Sequence, residues 1–460
     1  MKKKTEKQFG EEMLAKYWAN ANSKGSSMLR SRRGVPPFFK LTLVVLCAFI
    51  LWSFNHPRSQ LNINRSVRDF ENLNLRSKTA KKASSSSSSK PYKISDFHKV
   101  TAKCTKTSTN VVFLKTHKTG SSTMSNIMLR FADNHNLTVA LPLKDHWELG
   151  GYPAYIDKRL IDPPLPKYNI IGHHFRFNIE NLRGIMPDNT RYITIIRAPM
   201  DNVESVFGFF QDQSPFDDWL SEIDANTTAL RLHTFYDNPT KFYSKNTDWF
   251  FRAKNHMFFD IGNDVSNDDD AYIDAKIQEM ANTFTLVLLT DFFDESLIMM
   301  KHLLCWDWDD IIYIKFKMRI EEAKTEVDPE LGRKIVKWNK ADTKLYDYFN
   351  KTFWKLVEDY GNNRMESDLE TFRAKQKEAE NLCIESYQPF KRKPWMVGAK
   401  LRPKPSDYCR HLAWSETVYG ERLRDKMYES IPGLKTPTEE QDKKRNELFE
   451  KVATGALRSD

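Results

Sequence analysis

The chain has 460 residues, 40% of them hydrophobic, which is enough to build a sizeable core. Its formal net charge is +10, but residues 1–34 carry +6, residues 55–107 carry +9 and Lys40 adds one, so residues 108–460 sum to −6. A nucleic-acid-binding domain usually carries the opposite charge, and the composition therefore excludes that class.

A membrane anchor is predicted over residues 35–54, VPPFFKLTLVVLCAFILWSF, in which Lys40 is the one charged residue. The uninterrupted apolar stretch, 41–54, is short, but a lysine near its end can reach the interface. A cleaved signal peptide normally begins nearer the N-terminus and ends at small residues, whereas Trp52 and Phe54 stand at this boundary. We therefore expect a cytoplasmic tail over residues 1–34 and an uncleaved signal anchor.

Glycosylation sequons and cysteines after the anchor place the bulk of the chain in the secretory lumen. Sequons of the form N-x-[ST] occur at Asn64, Asn136, Asn226 and Asn350. The cysteines after the anchor are Cys104, Cys305, Cys383 and Cys409. An even number permits disulfides in an oxidising compartment, and a bond would help most around the Pro-rich stretch between the last two. Four free thiols are the alternative. The pattern predicts a single-pass type II membrane protein.

The lumenal part divides into three predicted regions. Residues 55–107 include KKASSSSSSK and too few apolar side chains to fold, which predicts a disordered stem. Residues 108–362 are expected to form the catalytic domain. Residues 363–460 are charged and irregular, which predicts a C-terminal extension wrapped on the core, with a mobile end after about residue 435.

Strands and helices alternate along the predicted catalytic domain. Short apolar strands are predicted in VVFL (111–114), YNIIGHHF (168–175), RYITIIRAP (191–199) and TLVLL (285–289). Helices are predicted after the first, third and fourth strands, and again over residues 341–360, from apolar residues at helical spacing. Continuous apolar strands alternating with helices indicate an α/β fold with a parallel central sheet covered on both faces.

The loop after the first strand, in FLKTHKTGSST (113–123), is typical of an anion site. Lys118, Thr119, Gly120, Ser121, Ser122 and Thr123 lie where the backbone turns into a helix. A glycine lets the chain approach an anion, and the first N–H groups of the helix point at it. The spacing is not the nucleotide P-loop pattern. The alternative is an ordinary capped helix with solvated lysines.

Two further strand ends carry polar residues that could meet this loop, since ligands bind at the carboxyl ends of parallel strands. His173 and His174 follow the second strand, and a histidine there suits a general base. A structural histidine is the alternative, and the spacing completes no zinc pattern. Arg197 ends the third strand and Ser205 follows on the next helix, so both could bind one phosphate.

Several longer motifs give the chain a family resemblance. FLKTHKTGSST, HHFRF, ITIIRAPMDNVESVF, LVLLTDFFDESL, LLCWDWDDIIYIK and ADTKLYDYFNKTFWKLVEDYG resemble, in the same order, motifs of the Golgi galactose 3-O-sulfotransferases, including the galactosylceramide (cerebroside) sulfotransferases. The resemblance covers about residues 108–362. It implies a P-loop-kinase-like sulfotransferase fold, a Golgi membrane setting and a galactose-containing glycolipid or glycan as acceptor.

The same resemblance implies a donor and a set of site residues. The donor is 3′-phosphoadenosine 5′-phosphosulfate (PAPS), with its phosphosulfate bound by the loop from His117 to Thr123 and its 3′-phosphate bound by Arg197 and Ser205. The histidine of the H-x-R-F motif, His174, would be the general base, with His173 as an adjacent competitor. Ala198 departs from the family pattern, in which an acidic residue often follows the arginine.

These assignments give a reaction without a metal. His174 would take the proton of the acceptor hydroxyl, while Lys118 and the loop N–H groups would stabilise charge on the oxygens around sulfur. A sulfuryl group carries less negative charge than a phosphoryl group, so lysine and backbone donors can replace the magnesium clamp of a kinase.

Two other functions compete with this interpretation. A Golgi glycosyltransferase would use a D-x-D motif to hold a metal and a sugar nucleotide, and DWD (307–309) and DDD (268–270) are candidates. A lumenal lectin or cargo receptor would retain the fold without the chemistry. The acceptor is not fixed by the sequence, although loops 142–167 and 211–260, Arg176 and the aromatic residues of 207–219 are candidates to bind it.

Overall fold

The computed structural model describes residues 106–221, 228–315, 318–391 and 393–454. The predicted tail, the anchor at 35–54, nearly all of the stem, Asn64, Asn226 and Cys104 lie outside these residues. Among the described residues, no helix combines the length and the apolar character needed to cross a membrane.

A five-stranded parallel sheet forms the centre of the fold. Its strands are β1 (Val111–Leu114), β2 (Val139–Ala140), β3 (Ile170–Ile171), β4 (Arg191–Ile196) and β5 (Leu286–Leu289), in the order β2-β3-β1-β4-β5. Val111 pairs with Ile170 on one side and with Arg191 on the other, and every pairing in this sheet is parallel. The predicted α/β fold with a parallel central sheet is confirmed. Because β3, β1 and β4 are neighbours, the loops that follow them meet at one edge.

Helices cover the sheet, and their bounds follow the alternation predicted from the sequence. Those up to β5 are α1 (Ser121–Asn134), α2 (Ile179–Ile185), α3 (Pro199–Phe210), α4 (Phe216–Leu220), α5 (Thr228–Asp237), α6 (Pro239–Phe242), α7 (His256–Asp260) and α8 (Asp270–Thr283). After β5 come α9 (Phe293–Leu304), α10 (Trp308–Ile311), α11 (Pro329–Trp338) and α12 (Lys340–Tyr360). The strands β1 and β5 are buried along their whole length, as the continuous apolar runs predicted.

The prediction of an irregular segment after residue 362 is wrong. The chain continues as α13 (Asn362–Cys383), a hairpin of β7 (Ile384–Phe390) and β8 (Lys393–Leu401), then α14 (Asp407–Ala413), α15 (Glu416–Ser430) and α16 (Glu439–Ala453). The two hairpin strands join β6 (Met318–Arg319) in an antiparallel sheet of order β6-β8-β7. The segment after residue 435, expected to be a mobile end, therefore contains a helix.

Buried acids of the catalytic domain explain why this charged segment folds. Asp133 at the end of α1 accepts hydrogen bonds from Arg422 and Lys426 of α15. Asp162 accepts hydrogen bonds from Arg424 of α15 and, at 2.7 Å, from Arg445 of α16. The basic side chains that suggested a solvated extension are thus used in ion pairs with the domain.

The C-terminal segment is also held by a disulfide between Cys383 and Cys409, 26 residues apart in sequence. We predict that the double variant Cys383→Ser/Cys409→Ser unfolds at a lower temperature than the parent chain. Closing a loop of this length restricts the unfolded chain and stabilises the fold by roughly 2–4 kcal/mol. Calorimetry of both chains under oxidising conditions checks this, and identical unfolding temperatures would contradict it.

Candidate active site

The loop after β1 leaves the N-terminus of α1 open. Gly120 precedes the helix with φ 74°, in the left-handed region that glycine adopts without strain, and no side chain caps the helix. The N–H of Thr123 donates to the Gly120 carbonyl, while Ser121 and Ser122 begin the helix at the wall of a cavity. An uncapped helix N-terminus on a cavity is a ready site for an anion.

Some hydroxyl groups of this loop form hydrogen bonds within the loop, and others line the cavity. The Ser121 hydroxyl donates to the Thr116 carbonyl at 2.6 Å, and the buried Thr119 hydroxyl donates to the same carbonyl at 3.1 Å. Thr119 does not line the cavity, whereas Ser122 and Thr123 do. The side chain of Thr119 therefore shapes the loop, and the anion-facing groups are those of Ser122, Thr123 and the backbone.

Lys118 lies between the two predicted anion sites. Its backbone is in the left-handed region at φ 59°, and its ammonium lies 3.7 Å from the centroid of the Phe209 ring, on the cavity wall. Its carbonyl accepts a hydrogen bond from Nη1 of Arg197 at 3.3 Å. The loop after β1 and the end of β4 are thereby joined, as the strand order requires.

Arg197 and Ser205 both line the cavity, beyond the end of β4 and on α3. The backbone N–H of Ala198 donates to Asp291, an acid of the turn after β5, at 3.0 Å. Asp291 also accepts a hydrogen bond from the Tyr346 hydroxyl at 2.9 Å.

Sequence analysis missed two cations at this end of the cavity, Arg319 and Lys324. Arg319 lies on β6 and forms an ion pair with the buried Glu204 of α3. It packs so closely on α3 that a Cβ at Gly208 would lie 2.8 Å from its Nη1. These residues follow β5 at long distance in sequence and belong to no recognisable motif, so pattern analysis had no signal for them.

A stack of histidine rings stands beside the loop. His117 lies between His174, with ring centroids 3.9 Å apart, and His256 of α7, with ring centroids 4.6 Å apart. Nδ1 of His174 lies 2.9 Å from the carbonyl oxygen of Lys115. A carbonyl can only accept, so Nδ1 carries the hydrogen and Nε2 has the free lone pair. His174 thus has the tautomer that a general base needs.

His117 has a partner that sequence analysis did not identify, Asp260 at the end of α7. Asp260 accepts from the backbone N–H of His117 at 2.8 Å, from its Nδ1 at 3.0 Å and from the hydroxyl of Tyr152 at 3.0 Å. The other end of α7 is held by Asp342 of α12, which accepts from the backbone N–H of Phe258 at 2.8 Å. A carboxylate that orients a histidine makes His117 a second candidate base.

Burial keeps the neighbouring histidines neutral. Desolvation lowers the pKa of His174 well below its ordinary value, with the nearby His117 and Lys115 acting in the same direction. Desolvation also lowers the pKa of His173 to about 4 and that of His256 well below the ordinary range. A neutral imidazole at position 174 is available to accept a proton at mildly acidic pH.

Within the described residues, His117, His256 and Asp260 form one group whose ligand atoms lie within 4.8 Å of one another. The two rings are stacked with planes 18° apart, so their in-plane lone pairs run nearly parallel and do not converge on one ion. Asp260 already accepts hydrogen bonds from His117 and Tyr152. The arrangement therefore favours ring packing over metal coordination.

The loop, the histidines and the cations line a single cavity of about 1220 Å³. We call the part lined by Lys118, Arg197, Ser205, Arg319 and Lys324 the donor end. We call the part lined by residues 142–148, His173 and residues 416–442 the acceptor end. Of the two predicted acceptor loops, 142–167 contributes residues 142–148 and Asp162 to this lining, whereas no described residue of 211–260 lines the cavity. Of the predicted aromatic residues of 207–219, Phe209 and Phe210 line it.

Arg176, a predicted acceptor contact, does not line the cavity. Its guanidinium packs on the rings of Tyr155, at 4.5 Å, and Phe259, at 4.1 Å, and donates to the carbonyl of Asn263. The residue follows the histidines in the H-x-R-F motif, but its guanidinium is held between these two rings and away from the cavity wall.

The two D-x-D candidates have structural roles. Asp307 caps α10 in a reciprocal capping box with Asp310. In the other motif, Asp268 pairs with Lys254 at 2.6 Å, and Asp269 caps α8 by accepting from the N–H of Tyr272. Neither motif lines the cavity. The glycosyltransferase alternative thus loses the residues on which it depended.

The glycosylation candidates within the described residues differ in access. Asn136 is exposed, just after α1. Asn350 lies inside α12, and its side-chain Oδ1 is buried with no hydrogen-bond partner among the described residues. An oligosaccharide on Asn350 would need that side chain to leave the helix surface, so the structure supports Asn136 and counts against Asn350.

Comparison with known proteins identifies the family of this chain. A family model described as galactose-3-O-sulfotransferase matches residues 40–413. Galactose-3-O-sulfotransferase 2 of Sus scrofa is 35% identical over 315 residues, covering 67% of this chain and 76% of the relative. Galactosylceramide sulfotransferase of Mus musculus is 33% identical over 333 residues, covering 67% of this chain and 77% of the relative. This chain is therefore a sulfotransferase and belongs to the galactose-3-O-sulfotransferase family.

Proposed function

We propose that the protein transfers a sulfo group from PAPS to the 3-hydroxyl of galactose on a glycolipid or a β-galactoside-terminated glycan. One observation carries the proposal. The uncapped N-terminus of α1, Lys118 and the neutral His174 line one cavity, and the same cavity also contains Arg197 and Ser205. That arrangement suits a donor with anionic groups at both ends and a hydroxyl nucleophile between the loop and the histidines. Family membership supports the same reaction class.

The residues at the donor end fit PAPS. Backbone N–H groups at the start of α1, with Ser122 and Thr123, would hold the phosphosulfate, and Arg197 with Ser205 would hold the 3′-phosphate. Arg319 and Lys324 line the same end, each in an ion pair with a glutamate, Glu204 and Glu321 respectively. PAPS supplies an activated sulfuryl group whose bond to the phosphate oxygen breaks as the acceptor oxygen attacks. Lys118 stabilises negative charge on the oxygens at that bond.

The acceptor hydroxyl loses its proton to the histidine stack. His174 is the proposed base, because its Nδ1 hydrogen is held by the Lys115 carbonyl and its Nε2 lone pair is left for the proton. His117 stacks on the His174 ring and is itself held by Asp260, and this pair is the competing base. His173 lies at the acceptor end with a buried Nδ1 that has no partner among the described residues, which suits a contact to the sugar better than proton transfer.

The cellular setting is part of the proposal. We propose a single-pass type II protein of the Golgi membrane with a lumenal catalytic domain, because the apolar segment at 35–54 precedes the sequons and the disulfide-bonded cysteines. A lumenal site suits acceptors displayed on lipids or secreted glycans. The reaction needs no metal, since Lys118 and the helix N-terminus supply the positive charge.

The test is transfer of label by the full chain in detergent. PAPS carrying labelled sulfur is incubated with galactosylceramide, a lactoside and a matched glucoside, with and without EDTA. We expect label on the galactosides and not on the glucoside, and no loss of rate in EDTA. A metal-dependent glycosyltransferase would stop in EDTA and would consume a sugar nucleotide. If PAPS neither reacted nor raised the unfolding temperature, the proposal would be wrong.

Arg197→Ala should weaken donor binding through the 3′-phosphate. A hydrogen bond between charged groups contributes roughly 1.5–3 kcal/mol, so we expect the KM for PAPS to rise by roughly 10- to 150-fold. Adenosine 5′-phosphosulfate, which lacks the 3′-phosphate, serves as the control donor, and its KM should change little. An equal rise in KM for both donors would show that Arg197 does not bind the 3′-phosphate.

The pH dependence should report a base of low pKa. Protonation of His174 removes the lone pair that accepts the proton. Because the pKa of His174 lies well below 6.5, the imidazole is still neutral at pH 6.5 and becomes protonated only at lower pH. We therefore expect kcat/KM to be level around pH 6.5 and to fall only at lower pH. A rate profile for the free enzyme, with enzyme stability followed in parallel, checks this. An acid limb centred at 6.5 or above would contradict the assignment.

A further inference from the structure

We propose that the acceptor end of the cavity selects galactosides without negative charge near the reacting sugar, and that residues after the family-matched region make this selection. The inference rests on the proposed function and adds the chemical class of its acceptor. It predicts that the enzyme disfavours acceptors bearing carboxylates or sulfates beside the galactose, including its own sulfated product.

Carboxylates of α15 and α16 provide the charge. Glu421, Asp425 and Glu429 recur every four residues along one stripe of α15 and line the cavity, and Glu439 of α16 lines it beside them. Within the described residues, no ion pair neutralises these four carboxylates. They are exposed to the cavity and to solvent, so an acceptor entering here meets their field directly.

The segment 142–148, which packs against α15 and α16, adds negative charge and little positive charge to the same end. Asp145, Glu148 and Lys144 of this segment line the cavity. The other basic side chain of the acceptor end, Arg424, donates to Asp162 at 2.6 Å and is used in that pair. Carboxylates therefore dominate the described lining of the acceptor end, whereas Lys118 and Arg197 give the donor end positive charge. A cavity divided in this way binds an anionic donor at one end and repels an anionic acceptor at the other.

Two side chains show that the acceptor end is built for a ligand. His173 is 4% exposed, lines the cavity and has a buried Nδ1 without a partner among the described residues. Trp147 lines the same end and is 72% exposed, which is unusual for an indole. A hydroxyl can satisfy the histidine, and an open indole face packs on the C–H face of a sugar. Both contacts suit an uncharged sugar.

The carboxylates of α15 and α16 lie outside the region matched by the family model. The family match ends at residue 413, and α15 and α16 begin at residues 416 and 439. Knowledge of the relatives' reaction therefore does not fix this wall. The helices are attached firmly, because Tyr419, Leu423 and Met427 of α15 are buried against the domain.

The experiment compares two acceptors on the full chain with saturating PAPS. One is a β-galactoside with a neutral aglycone, and the other has the same aglycone carrying a carboxylate next to the sugar. We expect kcat/KM to be at least about tenfold higher for the neutral acceptor at low ionic strength, with a preference that shrinks as salt is added. Equal kcat/KM for the two acceptors would overturn the inference.

A matched pair of triple variants locates the effect. Glu421→Gln/Asp425→Asn/Glu429→Gln removes the α15 carboxylates and should reduce the preference several-fold. Glu440→Gln/Glu447→Gln/Glu450→Gln makes the same charge change on residues of α16 that do not line the cavity, and should leave the preference unchanged. An unchanged preference in the first variant, or an equal loss in both, would overturn the inference. No turnover of any galactoside would contradict the proposed function instead.

Discussion

Lys118→Met is expected to lower kcat by on the order of 10²–10³ while the fold stays intact. The ammonium lies on the cavity wall over the Phe209 ring, and under the proposed function it stabilises the charge that develops as the bond to sulfur breaks. Methionine keeps the apolar stem over the Phe209 ring and removes only the charge. Steady-state rates with PAPS at saturation, together with unfolding temperatures, measure the effect.

The matched control for this variant is Lys118→Arg. Arginine retains a positive charge but presents it on a planar, longer group, so we expect it to recover part of the lost rate. A Lys118→Met enzyme with the parent kcat and a raised KM would show that the lysine only binds the donor. A parent-like kcat and KM would remove Lys118 from the site altogether.

His174→Ala is expected to lower kcat by on the order of 10²–10⁴, because the acceptor hydroxyl loses its base. His173→Ala should instead raise the KM for the acceptor, since this residue lies at the acceptor end without a partner at Nδ1. His135→Ala, an exposed histidine outside the cavity, controls for loss of a histidine as such. Measuring kcat and KM over a range of concentrations of a neutral galactoside separates the three.

Asp260→Asn decides between the two candidate bases. If His174 is the base, loss of the carboxylate disturbs only the stacked neighbour, and we expect a smaller fall in kcat than in His174→Ala. If His117 is the base, Asp260→Asn should lower kcat as much as His117→Ala does, because the tautomer and orientation of His117 depend on that carboxylate. If the His174→Ala enzyme kept nearly the parent kcat, His174 would not be the base and His117 would be the remaining candidate.

The central sheet could be predicted from the sequence because its strands are short, continuous apolar runs. β1 and β5 are buried at every position, so no alternation obscures them. The loop, Arg197 and Ser205 could be predicted for a related reason. Parallel strands bring their carboxyl ends to one edge, and the pairing of Val111 with both Ile170 and Arg191 places those ends side by side.

The missed residues belong to contacts between distant parts of the chain. Asp260 reaches His117 across 143 positions, through a five-residue helix whose N-terminus is held by Asp342. Such a contact leaves no periodic signal in the sequence. Likewise, α15 looked like a solvated segment because it is rich in charged residues. Its lysines and arginines in fact pair with Asp133 and Asp162, which are buried in the domain and distant in sequence.

The measurement that tests the central claim most directly is the position of the transferred sulfo group. The full chain is given labelled PAPS with a β-galactoside, and in parallel with the same compound lacking the 3-hydroxyl. The account predicts a single product sulfated at O3 of galactose and no label on the 3-deoxy compound. Label at another hydroxyl, or equal labelling of both compounds, would contradict it.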